Sequence, residues 1–270
     1  MAGSPGGQFQ LGQQVVTLMG GMGRTFDGGY AEYTCVPARQ VVPFTSSLDW
    51  TTLGAVPEML QTAHGSLTIG LDARPLQSIL IRGGSSSVGM TAAVLAKGLG
   101  LTVLSTTRSV EKRQALTGIG VDHVLTDNGQ IASQVREIMH DGVDCALELV
   151  GTPTLPDTLA STRLHGVVCF TGMLSNVWTV PEFYPIDYLP RGVRLTAYSG
   201  APPICRRPYS RISSTPSRPA RRSFLFIAPF ASTRSCRLMP RWKRTPLRGK
   251  SSSGSEPDTD VSQNGLHIGP

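Results

Sequence analysis

From Ser78 to Tyr198, short apolar runs alternate with longer stretches in which apolar residues recur every three or four positions. The runs Ser78–Ile81, Leu101–Thr107, His123–Thr126, Val143–Leu149, Gly166–Thr171 and Val193–Tyr198 read as strands, being short, apolar and bounded by turn residues. Between the first five, Val88–Leu99, Val110–Ile119, Ile131–Met139 and Leu155–Ser161 read as helices. Strands separated by helices of this length form parallel βαβ units, with helices covering both faces of one sheet. The fold class expected is α/β.

The flanks differ. Val15–Met19, Gly29–Thr34 and Gln40–Pro43 read as short strands joined by Gly-rich turns, the mark of a small β-rich domain over residues 1–50. Trp50–Ile69 reads as a long helix, interrupted or entered near Pro57, that opens a second domain over 51–200. After Gly200 the periodicity disappears. Half of the 20 prolines fall in residues 201–270, mixed with Ser and Arg, so this stretch reads as a basic, disordered tail.

Charge follows the same division. Residues 1–200 carry 12 Lys and Arg against 15 Asp and Glu, a net −3, while residues 201–270 carry 13 against 3, a net +10. A nucleic-acid partner is not expected from the basic tail, which lacks a recognisable RNA-binding motif and a folded basic face. No apolar run is long enough for a membrane span, and the first residues lack the basic-then-apolar pattern of a signal peptide. The expectation is a cytoplasmic protein with a small-molecule substrate and neither nucleic acid nor membrane as partner. The five cysteines show no C-x-x-C pair and fit neither a zinc lobe nor a disulfide framework. Cys145 and Cys169 read as small buried hydrophobes. No metal site is expected.

The chemistry concentrates in Ile79-Leu80-Ile81-Arg82-Gly83-Gly84-Ser85-Ser86-Ser87-Val88-Gly89. A buried strand enters a turn of small residues that opens a helix. Such a turn lets a pyrophosphate approach the backbone, where N–H groups and the positive helix end face its charge. Residues 76–172 are therefore read as a dinucleotide-binding domain of Rossmann type. The second strand ends Ser105-Thr106-Thr107-Arg108-Ser109, with Lys112 following. An NAD site would place a carboxylate there to hold the ribose hydroxyls. Two cations with hydroxyls instead suit a 2′-phosphate, which favours NADPH. The plainer reading of Arg108 and Lys112 is a solvated helix start.

The segment Gly20-Gly21-Met22-Gly23-Arg24-Thr25-Phe26-Asp27-Gly28-Gly29-Tyr30-Ala31-Glu32-Tyr33 resembles the "GGYAEY" segment of the medium-chain dehydrogenase/reductase superfamily. Pro57-Glu58-Met59-Leu60-Gln61-Thr62-Ala63, the Ser-rich turn and Glu148-Leu149-Val150-Gly151 continue the resemblance in order. The group it is most similar to is the zinc-independent quinone oxidoreductases, sometimes described as zinc-type alcohol dehydrogenases, and the likeness runs from about Gly12 to Gly200. The resemblance implies a β-rich, GroES-like catalytic domain, a Rossmann domain and a cleft between them. It implies that Gly83, Gly84, Ser85, Ser86, Ser87, Val88 and Gly89 contact the pyrophosphate, and that Arg108, Ser109 and Lys112 reach the 2′-phosphate, with Thr106 beside them. It puts Val150 and Gly151 near the ribose, Thr171 and Gly172 near the nicotinamide, and Thr62 at the cleft mouth as the candidate for a catalytic role. A homodimer joined through the edge strand Val193–Tyr198 is also implied.

Hydride transfer belongs chiefly to the cofactor, while the protein supplies orientation and excludes water. That agrees with a sequence in which no acid–base constellation stands out: His64 and Glu58 read first as helix-surface groups. The expected activity is hydride transfer from NADPH to a quinone or conjugated carbonyl. The alternative is a dinucleotide-binding remnant of such an enzyme without turnover. Compared with the family, the chain is expected to begin partway through the catalytic domain. Residues 201–250 hold no acidic residue and permit a shifted reading frame that restores family-like sequence, so a frameshifted tail is expected.

Overall fold

A computed structural model describes residues 3–200. The expected disordered, frameshifted tail of residues 201–270 lies outside the described residues.

Near the start, β1 (Val15–Thr17) and β2 (Val41–Pro43) pair antiparallel. Gly29–Thr34, expected as a strand, is a run of bends in which Tyr30 and Tyr33 are 94% and 76% exposed. Alternation becomes a strand only where a neighbouring ladder and a covered face exist, and among the described residues this segment has neither. The β structure of residues 3–50 is thus a two-stranded ribbon and one isolated bridge, Met22 to Phe26.

Helix α1 (Trp50–Gly65) begins at Asp49, whose carboxylate accepts the Thr52 N–H at 2.9 Å and the Thr52 hydroxyl at 2.6 Å. This cap satisfies one of the free N–H groups of the first turn. Pro57 does not interrupt α1: burial of Leu53, Val56, Met59, Leu60 and Ala63 outweighs the hydrogen bond that proline cannot make. The chain then widens into a π turn, Ser66–Gly70.

A six-stranded sheet follows, built from β3 (Ser78–Arg82), β4 (Thr102–Thr107), β5 (His123–Thr126), β6 (Val143–Glu148), β7 (Thr162–Phe170) and β8 (Arg194–Ala197). Every pairing is parallel, and the spatial order is β5-β4-β3-β6-β7-β8. The crossovers hold α2 (Ser87–Gly98), α3 (Arg113–Gly118), α4 (Ala132–Ile138) and α5 (Leu155–Ala160); the last, between β7 and β8, holds a single turn, α6 (Pro185–Tyr188). The helix expected over Val110–Ile119 is instead a 3₁₀ turn, Val110–Lys112, leading into the shorter α3.

Period-2 alternation sorts the core. Ile79 and Ile81 of β3, Val103 of β4, Cys145 and Leu147 of β6, and Val167 and Cys169 of β7 pack with α1 and α2. The residues between them, Leu80, Leu104, Ala146 and Val168, pack with α4 and α5. A strand buried on both faces has to be apolar at successive positions, and full burial of Ile79, Leu80 and Ile81 stabilises by about 1.5–3 kcal/mol each. Ala92, Ala93 and Ala96 let α2 lie close to the sheet.

The order has a direct consequence. The chain leaves the centre through β4 and β5, then returns to the other side of β3 with β6. The carboxyl ends of β3 and β6 are therefore followed by connections running in opposite directions, which opens a crevice at that end of the sheet.

Candidate dinucleotide site

The crevice is a cavity of about 540 Å³ at the carboxyl ends of β3, β4, β5 and β6. Gly83, Ser85 and Ser86 line one wall, and Thr106, Arg108 and Lys112 another. Asp127, Val150 and Thr154 contribute from the turns after β5 and β6, and Leu174 and Ser175 from the turn after β7.

The small-residue turn is forced by contact. Gly83 has φ +79°, a conformation that side chains rarely adopt. A Cβ on Gly89 would lie 2.7 Å from both the Gly83 carbonyl oxygen and the Gly84 Cα, so the turn and the start of α2 touch backbone to backbone. Ser86 caps α2: its hydroxyl accepts the Gly89 N–H at 3.1 Å and donates to the Gly83 carbonyl at 2.8 Å. The first N–H groups of a helix have no acceptor within it, and the positive end of the helix dipole lies with them. In α2 that end opens at the turn that lines the cavity.

Beneath the turn lies a buried ionic cluster. Arg82 ends β3 with its side chain fully buried. Its Nη2 donates to Asp127 Oδ1 at 2.9 Å and its Nε to Asp127 Oδ2 at 3.1 Å, a bidentate pair. Its Nη1 pairs with Asp157, and also reaches the Thr158 hydroxyl at 3.3 Å. Burial alone would raise the pKa of Asp127, but Arg82 and the Gly129 N–H outweigh it and hold the carboxylate below its ordinary value. Asp157 also accepts the Ile131 and Ala132 N–H groups, so it caps α4 from α5.

Glu148 closes the cluster from the end of β6. It is fully buried; Oε1 accepts the Val150 N–H at 2.6 Å, the Gly151 N–H at 3.0 Å and the Thr154 hydroxyl at 3.1 Å. Oε2 accepts the Thr158 hydroxyl at 2.5 Å. Burial pushes its pKa above the ordinary glutamate value, against the pull of these donors and of Arg82.

Of the residues expected to bind cofactor, Gly83, Ser85, Ser86, Thr106, Arg108, Lys112 and Val150 line this one cavity. Gly84 and Gly89 are buried behind the turn, Ser87 is exposed and Val88 half-buried. Thr106 acts as a strut: its hydroxyl accepts the Gly83 N–H at 3.0 Å and donates to Asp127 at 3.1 Å. Ser109 is not among the lining residues, and its hydroxyl is held by Glu111. Gly151 is buried against Glu148. Thr171 and Gly172 lie outside the lining; the Gly172 N–H donates to the Glu148 carbonyl at 3.1 Å, while Thr171 joins a second group of contacts with Thr62. Ser66 Oγ donates to the Thr62 carbonyl at 2.7 Å and lies 2.9 Å from Thr171 Oγ1. Because the Ser66 proton goes to Thr62, Thr171 is the donor to Ser66.

Sequence reading passed over Arg82, Asp127, Asp157 and Thr158, and gave Glu148 no role. A signal was present in Ser78-Ile79-Leu80-Ile81-Arg82: an arginine ending a strand buried on both faces requires buried carboxylates.

The family profile described as zinc-binding dehydrogenase matches residues 87–198. A quinone oxidoreductase from Pongo abelii is 26% identical over 176 residues, 64% of this chain and 52% of the relative. The matched profile and these relatives support a chain similar to the medium-chain dehydrogenase/reductase superfamily. The likeness is to quinone oxidoreductases, and the chain spans about half the length of those it matches. The crystal structure of 2-haloacrylate reductase superposes with TM-score 0.63 at 24% identity, over 72% of this chain and 61% of that one. A mycobacterial protein complexed with NADPH superposes with TM-score 0.55 at 25% identity, over 61% of this chain and 52% of that one. The profile's description names zinc, yet among the described residues no three His, Cys, Asp or Glu side chains assemble a ligand set. Among those residues, too, no helix is long and apolar enough to cross a membrane. Cys145 and Cys169 are buried, as expected, whereas Cys35 is exposed.

Proposed function

We propose that this medium-chain dehydrogenase/reductase-like chain binds NADPH and serves hydride transfer to a quinone or conjugated carbonyl. The observation that carries the reading is the convergence, on one cavity at the sheet's switch point, of the Gly83–Ser86 turn and the paired cations Arg108 and Lys112. The mycobacterial relative complexed with NADPH supports the choice of cofactor.

The residues present fit such a group. The turn's positive φ at Gly83 and the close approach at Gly89 keep side chains away from the path of a pyrophosphate. Arg108 and Lys112 stand at the end of β4, where dinucleotide folds read the adenosine ribose, and supply charge for a 2′-phosphate. Val150, Leu174 and Ser175 form the wall beyond the turn after β6. Their backbone is stitched across, Leu174 N–H to Leu149 C=O at 3.1 Å and Ser175 N–H to Val150 C=O at 2.8 Å, which fixes that wall. NADPH, when bound, supplies the hydride; the protein's part is to orient the ring and keep water from it. Thr62 is held to Thr171 through Ser66 and is the candidate for contact with the substrate at the cleft mouth. With β8 at one edge of the sheet, a dimer of this type would form by pairing two such edges.

Fluorescence titration of the full chain with NADPH and NADH tests the reading. NADPH binding at least about tenfold tighter, reduced to the NADH value by Arg108→Ala, is expected from loss of a charge-assisted phosphate contact. Equal affinities in the unaltered protein would overturn the choice of cofactor.

A further inference from the structure

The Glu148 carboxyl makes four short polar contacts, all with the chain's own groups. Three are made by the segment that turns away from β6: Val150 N–H, Gly151 N–H and the Thr154 hydroxyl converge on Oε1. The Thr158 hydroxyl holds Oε2 in place at 2.5 Å. Two consecutive amides bound to one oxygen set the direction of the peptide planes at 150 and 151. The Val150 carbonyl then meets Ser175 N–H at 2.8 Å, and Val150 and Ser175 both line the cavity. Asp127, another carboxylate of the cluster, works elsewhere. It ties Arg82, the Gly129 N–H and the Thr106 hydroxyl together beneath the wall where Arg108 and Lys112 stand. The two walls are thus anchored by two different buried carboxyl groups.

We propose that Glu148 is a positioning residue that sets the nicotinamide-side wall of the cavity through the Val150 and Gly151 amides, and does so as an acceptor at a fixed reach rather than as a charge. The inference rests on the dinucleotide reading above, and adds to it that the wall of Val150, Leu174 and Ser175 faces the nicotinamide half. A buried carboxyl used for charge tolerates shortening but not neutralisation. One used for reach behaves in the opposite way. Glu148→Gln keeps Oε1 at its distance from both amides and turns an N–H donor toward Thr158, which can redirect its proton to the Thr154 carbonyl, already 3.2 Å away. Glu148→Asp keeps the charge but withdraws the acceptor by one methylene from amides now at 2.6 and 3.0 Å.

The experiment is calorimetric titration of the full-length protein and both variants with NADPH and with adenosine 2′,5′-bisphosphate, which lacks the nicotinamide half. Loss of two amide anchors in Glu148→Asp is expected to weaken NADPH about tenfold, with the bisphosphate unchanged within about twofold. Glu148→Gln should bind both within about twofold of the unaltered protein. Both variants are conservative, so thermal unfolding alongside shows whether each remains folded. Weakening of both ligands in parallel in Glu148→Asp would reduce Glu148 to a structural role and overturn the proposal. So would damage in Glu148→Gln with none in Glu148→Asp, or no effect in either. An unaltered protein that binds neither ligand would refute the dinucleotide reading itself, a result distinct from the other three.

Discussion

Arg82→Met removes the guanidinium from the cluster under the cavity and keeps a long apolar stem in its place. The side chains of Asp127 and Asp157, 8% and 19% exposed, are then left facing each other across the vacated volume. Breaking a buried pair by deleting one partner destabilises by about 3–5 kcal/mol, because the remaining charge stays desolvated. Here both carboxylates keep other donors: Gly129 N–H and Thr106 for Asp127, and the Ile131 and Ala132 N–H groups for Asp157. The lower end, about 3 kcal/mol, is therefore expected, a fall in Tm of roughly 6–12 °C for a chain of this size. Far-UV circular dichroism melts at pH 7 measure it. A second variant, Arg82→Met with Asp157→Asn, should recover part of the loss because one of the two orphaned charges is gone. A fall under about 2 °C, or no recovery in the double variant, would mean that Arg82 is not the counter-charge the geometry makes it.

Other consequences follow from the same contacts. Gly89→Ala places a methyl 2.7 Å from the Gly83 carbonyl oxygen; the turn must shift, so NADPH affinity should fall at least about tenfold while the sheet's circular dichroism is kept, and an unchanged affinity would contradict the close approach. Asp122, Asp127 and Asp144 all titrate below their ordinary 3.8, since their donors outweigh burial. Their stabilisation is complete above that value and is lost as pH falls through the lower folded values. Glu148, raised above its ordinary 4.5, contributes in the opposite sense, most fully below that value and less as pH rises through its folded value. Acid unfolding monitored from pH 6 to 2 should therefore begin below about 3.8, and Asp144→Asn should flatten it. The Cys145 thiol is pushed up to about 12 by burial first and by the Asp144 charge second. At pH 8 alkylation mapped by peptide mass should find exposed Cys35 modified and Cys145 protected, and rapid labelling of Cys145 would contradict its burial.

The sheet was legible because strands covered on both faces are apolar at successive positions, as in Ile79-Leu80-Ile81 and Cys145-Ala146-Leu147, and because turn residues keep each run short. The small-residue turn was legible for a similar reason, since contact between Gly83 and Gly89 excludes side chains and writes itself into the composition. Gly29–Thr34 misled because alternation describes a strand's faces and says nothing of whether a partner strand exists. The cluster of Arg82, Asp127, Glu148 and Asp157 was not assembled from sequence. Its members are separated by 9 to 75 positions along the chain, and the parallel order β5-β4-β3-β6 is what brings the ends of β3, β5 and β6 together. Ser109 shows the opposite limit: at the right place in the pattern, its hydroxyl is taken by a neighbour two residues on.

The most direct test of the account is the affinity of the full chain for NADPH against NADH, measured on the unaltered protein and on Arg108→Ala. The account predicts tighter binding of NADPH, falling to the NADH value when the Arg108 guanidinium is removed from the cavity wall. Binding that does not distinguish the two nucleotides, or a preference for NADPH that survives Arg108→Ala undiminished, would contradict it.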